Sequence, residues 1–407
     1  MAHSDSGYAT FAEPFDFRID EQMRVGQAAR WDELREQCPV HLTTTTAQRP
    51  VWYLLGYNDV HAAFQDWETF SSTSIQPWET EETRAGEPPW IPVEIDPPLH
   101  TQYRALVSPF FSPRAVADMA PAIREQCAGL IDSLHAKGRI EFVGDFAKVF
   151  PTRVFMRIMG LPVERSEWIL HSIDTLMHTD SADDPDGQIR QGVSNDIYGF
   201  LGALLDERRR EPQHDIITAI VTTPLSTGRL VSQQEALSMT FLLYMAGLDT
   251  VAAALAYMFA YLAGHGLVRS QLTAGQLKAN DVAEELLRTH SLINTGRVVT
   301  RDIEFAGCPM RKGDRVLLST AAANRDPVEF GSATDIEVGR RPNRHLAFGA
   351  GPHRCLGSHL ARIELKIALE EWHRRIPHYR IPDGVPLEDQ PGSVSTLKAL
   401  PLQWDRD

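Results

Sequence analysis

The sequence predicts a mainly α-helical fold, and three stretches of the chain carry that prediction. Residues 112–210 have a mostly helical pattern with short breaks. Residues 236–263 are almost wholly apolar and are long enough for one continuous helix. Residues 358–366 repeat their apolar side chains at helical spacing directly after a glycine-rich loop. Strand-like patterns are short, as at residues 51–55, so helices should form the body of the protein.

The composition excludes several classes of function. The chain has 407 residues and a formal net charge of −14, which argues against nucleic acid and anionic membrane surfaces as main partners. The cysteines are far apart and form no C-x-x-C pair, so we expect no disulfide framework, no zinc site and a cytoplasmic location. They are Cys38, Cys127, Cys308 and Cys355. The N-terminus lacks the pattern of a signal peptide. Length alone would allow two or three domains, but no Pro/Gly-rich linker divides the chain, and we expect a single domain over residues 1–407.

The first hundred residues combine an irregular start with short elements. We expect one helix around residues 27–37, a strand at 51–55 and a short helix at 60–66. Residues 71–92 are rich in Pro, Gly, Glu and Ser and predict a loop, and loops of this length are often functional. Its aromatic side chains, Trp78 and Trp90, would be unusual in a solvated loop, so we expect them to turn inward over a pocket.

A helix should begin near Asp96, because two prolines stand at its start. His100 and Arg104 lie four residues apart on it and therefore share one face. In the helical stretch that follows, breaks are expected at Gly138, at the turn 160–162 and in the acidic loop 180–187.

The apolar stretch 236–263 is long enough to span a bilayer, yet it favours a buried helix. Its only charged residue is Asp249, near the middle, where an aspartate would cost about 2.5–3.5 kcal/mol in a membrane. Residues 246–250 read Ala-Gly-Leu-Asp-Thr. A helical glycine costs about 1 kcal/mol, and Asp and Thr compete for backbone hydrogen bonds. Such violations of local rules are expected at functional sites, although Thr250 could simply bond a backbone carbonyl and Asp249 could belong to a buried ion pair.

The glycine-rich loop 348–357 holds Cys355 directly before a helix and reads F-G-x-G-x-H-x-C-x-G. Unpaired backbone N–H groups at a helix start stabilise a thiolate, and a thiolate can hold a metal. The glycines let the backbone pass close to a flat group. An ordinary buried cysteine is the alternative reading.

This string resembles the haem-binding loop of the cytochrome P-450 superfamily. The A-G-x-D-T run and the E-x-x-R pattern of Glu285 and Arg288 stand upstream at the distances typical of that family. The resemblance runs from Trp52 to Trp404 and is strongest to the soluble bacterial, camphor-hydroxylating (P-450cam-like) branch. The substrate-binding tyrosine of that branch has no counterpart in residues 87–92, which makes camphor doubtful as the substrate. The implied fold is a triangular helical domain with small β-sheets, with haem b between the long apolar helix and the helix after the cysteine loop.

The family resemblance implies roles for individual residues. The Cys355 thiolate would be the axial ligand of the haem iron, at which O2 is activated. The other expected haem contacts are His100, Arg104, Arg297, His353, Phe348 and Gly349. Ala246 and Gly247 would leave room for O2 at a local widening of the helix, and Asp249 and Thr250 would deliver protons. Glu285, Arg288 and Arg340 would form a buried structural network behind the cysteine loop.

The implied reaction is monooxygenation of a small hydrophobic substrate such as a terpenoid, norisoprenoid or small aromatic. The expected pocket residues are Trp78, Trp90, Leu242, Met245, Ile293, Thr295, Val394 and Ser395. No reductase is fused to the chain, so electrons from NAD(P)H would arrive through a separate ferredoxin reductase and an acidic [2Fe–2S] ferredoxin. The ferredoxin would dock near Cys355 on a basic surface, defined as Arg104, Arg114, Arg341, Arg344, Arg354, Arg362 and Lys366.

Two alternatives share the same cofactor. One is a peroxide-driven peroxygenase, which typically lacks the acid–alcohol pair that Asp249 and Thr250 preserve here. The other is a non-catalytic haem protein that senses or carries a small ligand. In each case nothing in the sequence suggests an obligate oligomer, and we expect a monomer.

Overall fold

The computed structural model describes residues 8–11, 15–44, 50–76, 88–179, 183–184 and 186–405, and helices dominate them. The predicted mainly α-helical fold is confirmed. The helices are α1 (Glu21–Gln37), α2 (Tyr57–Gln65), α3 (Leu99–Val107), α4 (Pro113–His135), α5 (Val149–Met159), α6 (Ser166–His178), α7 (Gln188–Arg210), α8 (Ile216–Thr222), α9 (Gln233–Gly264), α10 (Gly266–Thr273), α11 (Ala279–Thr289), α12 (Thr320–Ala323), α13 (Pro327–Phe330) and α14 (Ser358–Arg375).

The strands form small, separate sheets. They are β1 (Ala9–Thr10), β2 (Val40–Thr44), β3 (Pro50–Leu54), β4 (Phe70–Ser71), β5 (Arg139–Glu141), β6 (Asn294–Val299), β7 (Ile303–Phe305), β8 (Cys308–Met310), β9 (Arg315–Ser319), β10 (Asp389–Gln390), β11 (Thr396–Leu397) and β12 (Pro401–Gln403). The largest sheet has the order β1-β2-β3-β9-β6-β4, with β1–β2 and β3–β9 parallel and its other pairs antiparallel. Three antiparallel pairs, β5–β12, β7–β8 and β10–β11, complete the described strands.

The N-terminal predictions hold with shifted boundaries. The predicted strand at 51–55 is β3, and the predicted helix at 60–66 is α2. The predicted helix at 27–37 is the second part of α1, which is interrupted by non-helical dihedral angles at Gly26. The stretch 112–210 divides into α4, α5, α6 and α7, and Gly138 and Gly160 take positive φ angles of 70° and 69° where α4 and α5 have ended. A turn of π-helix at Val143–Ala147 was not predicted.

Helix α9 is the central element of the core. Its start is fixed by a capping box, in which Ser232 Oγ accepts from the Glu235 N–H and the Glu235 carboxylate accepts from the Ser232 N–H. Of the helices in the described ranges, α9 alone has the length and hydropathy of a membrane span, and 72% of that window is buried in the protein. The helix packs against α5, α7 and α14, as the predicted buried helix should.

Helix α14 begins directly after the glycine-rich loop and packs along α4. Helices α4, α5, α9, α11 and α14 contribute to one apolar core cluster. The cysteine loop is therefore held between this helical core and α2, whose Phe64 contacts it.

Candidate active site

A cavity of about 380 Å³ brings together most of the residues that the sequence predicted. Helix α9, the cysteine loop, α3, β6 and the start of α14 all contribute to its wall. The predicted residues that line it are Ala246, Gly247, Thr250, Cys355, His100, Arg104, Arg297, His353, Phe348, Gly349, Leu242, Ile293 and Thr295.

The loop around Cys355 is folded by its own backbone. The Cys355 N–H donates to Phe348 O at 2.8 Å, and the Gly349 N–H donates to Leu346 O at 2.8 Å. Gly351 has a φ of 66°, and a Cβ there would lie 2.2 Å from the carbonyl oxygen of Phe64. Glycine alone adopts this positive φ without strain and has no Cβ to collide with the carbonyl oxygen. The loop thus lies directly on α2, with Cys355 open to the cavity.

Opposing effects act on the pKa of the Cys355 thiol. Burial within the surrounding protein raises the pKa of the thiol, although the Gly357 N–H and nearby guanidinium groups, including those of Arg104 and Arg354, lower it. The N–H at the helix start thus acts in the direction that the sequence predicts, and desolvation opposes it with the larger effect. A coordinating metal ion removes the thiol proton outright.

Four cationic or potentially cationic side chains line the cavity beside this loop. The rings of His100 and His353 lie 4.2 Å apart, and both side chains are buried. His100 Nδ1 and His353 Nε2 have no hydrogen-bond partner among the described residues. The nearest carboxylate oxygen to His353 Nε2 is that of Asp96, at 3.8 Å, which exceeds hydrogen-bonding distance. Burial, reinforced by the charges of His353 and Arg104, lowers the pKa of His100 to about 4.

Arg297 is the more deeply buried of the two arginines in this group. It is 4% exposed, and its guanidinium donates to the adjacent Gly296 O at 2.6 Å. Burial lowers its pKa to about 10, opposed only by the charge of Asp96. No carboxylate in the described part of the chain forms an ion pair with it. Since a buried charge needs a partner, this end of the cavity suits an anionic ligand.

The A-G-x-D-T run lies on α9, which continues without a break from Gln233 to Gly264. The local widening expected from the family resemblance is therefore absent. Thr250 lines the cavity, and its hydroxyl donates to Ala246 O at 3.2 Å within the helix. Asp249 is 3% exposed and does not line the cavity.

Glu285, Arg288 and Arg340 form a buried ionic network outside the cavity. Glu285 Oε1 accepts from Arg288 Nη2 at 2.7 Å and from Arg340 Nε at 3.1 Å. Arg288 also donates to the carbonyl oxygens of Asn324 and Ala333, at 2.9 and 2.7 Å. The network ties α11 to the segment that precedes the cysteine loop, and it touches no cavity-lining side chain of that loop.

Several predicted pocket residues do not line the cavity. Met245 lies off the stripe of α9 that faces it, which runs through residues 239, 242, 243, 246, 247 and 250. Trp90 packs near Phe241, with ring centroids 6.5 Å apart. Val394 forms an antiparallel β-bridge with Ile293 but does not line the cavity. Ser395 is buried, and its hydroxyl donates to Gln27 Oε1. Trp78 lies outside the described residues.

The sequence reasoning missed other cavity residues. Met239 and Leu243 lie at helical spacing from Leu242 and Ala246, so the periodicity of α9 could have identified them. Pro92, Val93, Phe155 and Glu364 also line the cavity, and their contribution depends on tertiary packing that no local pattern reveals.

The basic surface around Cys355 is partly neutralised. Arg341 pairs with Asp281, Arg344 with Glu329, Arg362 with Glu284 and Lys366 with Glu370. Arg114 and Arg354 are exposed and form no ion pair with any described residue.

The cavity presents an open cysteine thiol, two buried histidines and the buried guanidinium of Arg297, which has no ion pair among the described residues. This arrangement suits an anionic, metal-bearing cofactor. A family model described as Cytochrome P450 matches residues 279–376. "Probable cytochrome P450 127A1" of Sinorhizobium fredii is 36% identical over 365 residues, covering 89% of this chain and 85% of the relative. "Mycinamicin IV hydroxylase/epoxidase" of Micromonospora griseorubida is 31% identical, covering 97% of this chain and 98% of the relative. The crystal structure of CYP101J2 matches with a TM-score of 0.85 and 28% identity, covering 99% of this chain and 98% of that one. The chain belongs to the cytochrome P450 family.

Family membership makes the chain a haem b-binding monooxygenase, and its residues fit that cofactor. Haem carries two carboxylates, which match the unpartnered ring nitrogens of His100 and His353 and the unpaired charge of Arg297. The Cys355 thiol in the same cavity matches the iron.

Proposed function

We propose that this enzyme inserts one oxygen atom of O2 into a small hydrophobic substrate of the terpenoid, norisoprenoid or small aromatic class. The observation that carries the proposal is that Cys355 and Thr250 line one cavity whose remaining wall is largely apolar. Met239, Leu242, Leu243 and Val93 supply apolar surface, and hydroxyls such as that of Thr295 are few. Apolar walls with few polar groups suit a compact hydrophobic ligand.

We assign the haem-binding residues as follows. Cys355 holds the iron, and His100, Arg104, Arg297 and His353 bind the carboxylates through N–H donors. Phe348 and Gly349 bring the loop close to the macrocycle. When bound, the haem supplies oxygen activation, and thiolate ligation favours O–O cleavage.

Residues of α9 are assigned to proton delivery and to leaving room in the cavity. The Thr250 hydroxyl, now bonded to Ala246 O, can turn to donate a proton into the cavity. Asp249 precedes it in the helix interior and would resupply that proton. Ala246 and Gly247 present little side-chain bulk to the cavity.

Electrons are proposed to come from NAD(P)H through a separate reductase and an acidic [2Fe–2S] ferredoxin. The ferredoxin would dock on the basic surface, where neither Arg114 nor Arg354 forms an ion pair with a described residue. We propose further that the whole chain works as one domain, as a monomer and in the cytoplasm. From the resemblance of its motifs we also propose membership near the P-450cam-like branch, and the missing tyrosine in residues 87–92 argues against camphor as its substrate.

The absorption spectrum of the reduced protein with carbon monoxide tests this proposal. A strongly red-shifted band in the wild type, lost in Cys355→Ala and kept in Cys127→Ala, is the expected result. Cys127 is a matched control because it is fully buried in the core and does not line the cavity. An unshifted band, as histidine-ligated haem gives, would overturn the monooxygenase assignment.

A further inference from the structure

One wall of the cavity is supplied by the segment 88–95, which precedes α3. Pro92 and Val93 of this segment line the cavity. The segment is closed internally: the Trp90 N–H donates to Glu94 Oε2 at 2.9 Å, and the Glu94 N–H donates to Trp90 O at 2.9 Å. These two hydrogen bonds make the segment one compact turn.

The Ser238 side chain of α9 hydrogen-bonds this turn to the central helix, beside the ring contact between Phe241 and Trp90. Ser238 Oγ accepts from the Ile91 N–H at 3.0 Å and donates to Pro89 O at 2.6 Å. Ser238 is 2% exposed and Ile91 is 6% exposed, so water does not readily replace either bond. A buried hydroxyl that satisfies two backbone groups 147 and 149 residues away is a specific tether.

The other end of the segment is tied to β6. Glu94 Oε1 lies 3.5 Å from the Ile75 N–H, and Ile75 O accepts from the Gly296 N–H at 2.6 Å. Gly296 stands between Thr295 and Arg297, both of which line the cavity.

The next side chains on α9 face the cavity. Met239 follows Ser238 directly, and Leu242 lies one turn further along. Because Ser238 fixes the segment against this part of the helix, it sets how far Pro92 and Val93 stand from Met239 and Leu242. We infer that Ser238, which does not itself line the cavity, is a positioning residue that determines which substrate sizes the cavity accepts. This inference rests on the proposed function, since it concerns the substrate pocket of the haem enzyme.

The test compares Ser238→Ala with Thr240→Val. Thr240 is a matched control because it is a buried hydroxyl on the same helix, but it donates to Ala236 O within α9. The measurement is the dissociation constant of the ferric holoenzyme for imidazole, a small probe, and for 4-phenylimidazole, a bulky one. We expect the ratio of the dissociation constant for imidazole to that for 4-phenylimidazole to be about fivefold higher in Ser238→Ala than in the wild type. A change of this size is what the loss of a hydrogen bond would allow. A ratio that stays unchanged, or that shifts equally in Thr240→Val, overturns the inference.

Hydrogen exchange provides a second readout that needs no variant and no haem. In the segment 88–95 three residues are prolines, so few amides report, and the Ile91 amide is the one bonded to Ser238. We expect slow exchange there in the wild type, and exchange at the unprotected rate would overturn the inference even if Ser238→Ala does not fold. Failure of the proposed function would appear differently, as an absent haem spectrum with the exchange pattern intact.

Discussion

Gly247 and Phe155 meet so closely that a Cβ on Gly247 would lie 2.5 Å from three ring atoms of Phe155. Phe155 lies on α5, is 4% exposed, and lines the cavity together with Gly247. The sequence suggested that this glycine leaves room for O2. In the structure the absence of a Cβ at Gly247 leaves room for the ring of Phe155 from the neighbouring helix α5.

Gly247→Ala should therefore lower the free energy of unfolding by about 1 kcal/mol. Overpacking costs about 1–3 kcal/mol, and the gain in helix propensity offsets about 1 kcal/mol of it. In a Phe155→Leu background the same substitution should cost less or stabilise, because the ring tip is gone. Urea unfolding of the four proteins measures the coupling. An equal effect in both backgrounds would show that the contact carries no energy.

Removing Glu285 should destabilise the protein severely. Glu285→Ala leaves the buried guanidinium groups of Arg288 and Arg340 without their carboxylate, and breaking such a buried network costs about 3–5 kcal/mol. Arg341→Ala is the control: its side chain is 67% exposed in its pair with Asp281, so about 0–1 kcal/mol is expected. Denaturant midpoints distinguish the two, and similar midpoints would rule out a stabilising role for the network.

His373 should make stability depend on pH. Its Nδ1 lies 2.7 Å from Leu369 O and its Nε2 lies 3.1 Å from the Tyr379 hydroxyl, and burial lowers its pKa from 6.5 to about 4. The unfolded chain therefore takes up this proton first as the pH falls. As the pH falls from 6.5 to 4, the free energy of unfolding should decrease by about 3 kcal/mol because of this group. Below pH 4 the contribution of His373 should change little.

His373→Asn tests that dependence because asparagine can keep the donor to Leu369 O. The variant should have a shallower slope of unfolding free energy between pH 4 and 6.5 than the wild type. The half-buried His290, whose pKa desolvation also lowers to about 4, should leave part of the slope in place. Identical slopes in the two proteins would contradict the assignment.

Thr250→Ala should uncouple electron consumption from product formation. Without the hydroxyl, proton delivery in the cavity fails, so NADH is still consumed but peroxide replaces product, with coupling reduced by about tenfold or more. Thr250→Ser and Thr240→Val should both retain coupling. The measurement is product and peroxide per NADH with a reconstituted ferredoxin and reductase. Full coupling in Thr250→Ala would remove Thr250 from the proposed proton path.

Arg354→Glu should slow reduction by an acidic ferredoxin and weaken the dependence of its rate on ionic strength. The side chain is exposed beside Cys355 and forms no ion pair with a described residue. Arg24→Glu, an exposed position on α1, changes the net charge equally and should have little effect. Stopped-flow reduction at several salt concentrations measures both. Rates indifferent to salt in the wild type would argue for another kind of electron donor.

The elements that the sequence predicted well carry strong local signals. The apolar run of α9 and the glycine-cysteine loop could be identified in the sequence, because the residues that define each of them lie close together in the chain. The same holds for His100 and Arg104, which share a helix face. Even there, the desolvation that opposes the helix start and raises the pKa of Cys355 could not be predicted, because burial is a property of the folded whole.

The remaining features depend on contacts between distant parts of the chain. Nothing near Gly247 in the sequence indicates Phe155, and nothing near Ser238 indicates Ile91. Met245 was predicted to line the pocket from its position on the apolar helix, yet it lies off the side of α9 that faces the cavity. Trp90 was correctly expected to turn inward, but it packs against the core and not over the cavity.

Arg297 forms no ion pair with any described carboxylate, so the stability of this protein should depend on the supply of its cofactor. A molecule that binds only the folded form shifts the folding equilibrium towards it by mass action. Haem would do so here with an additional gain, because its carboxylates would neutralise a guanidinium that the empty protein keeps buried at a cost. Iron limitation in the cell would then reduce the amount of this enzyme that escapes proteolysis, as well as the fraction that is loaded.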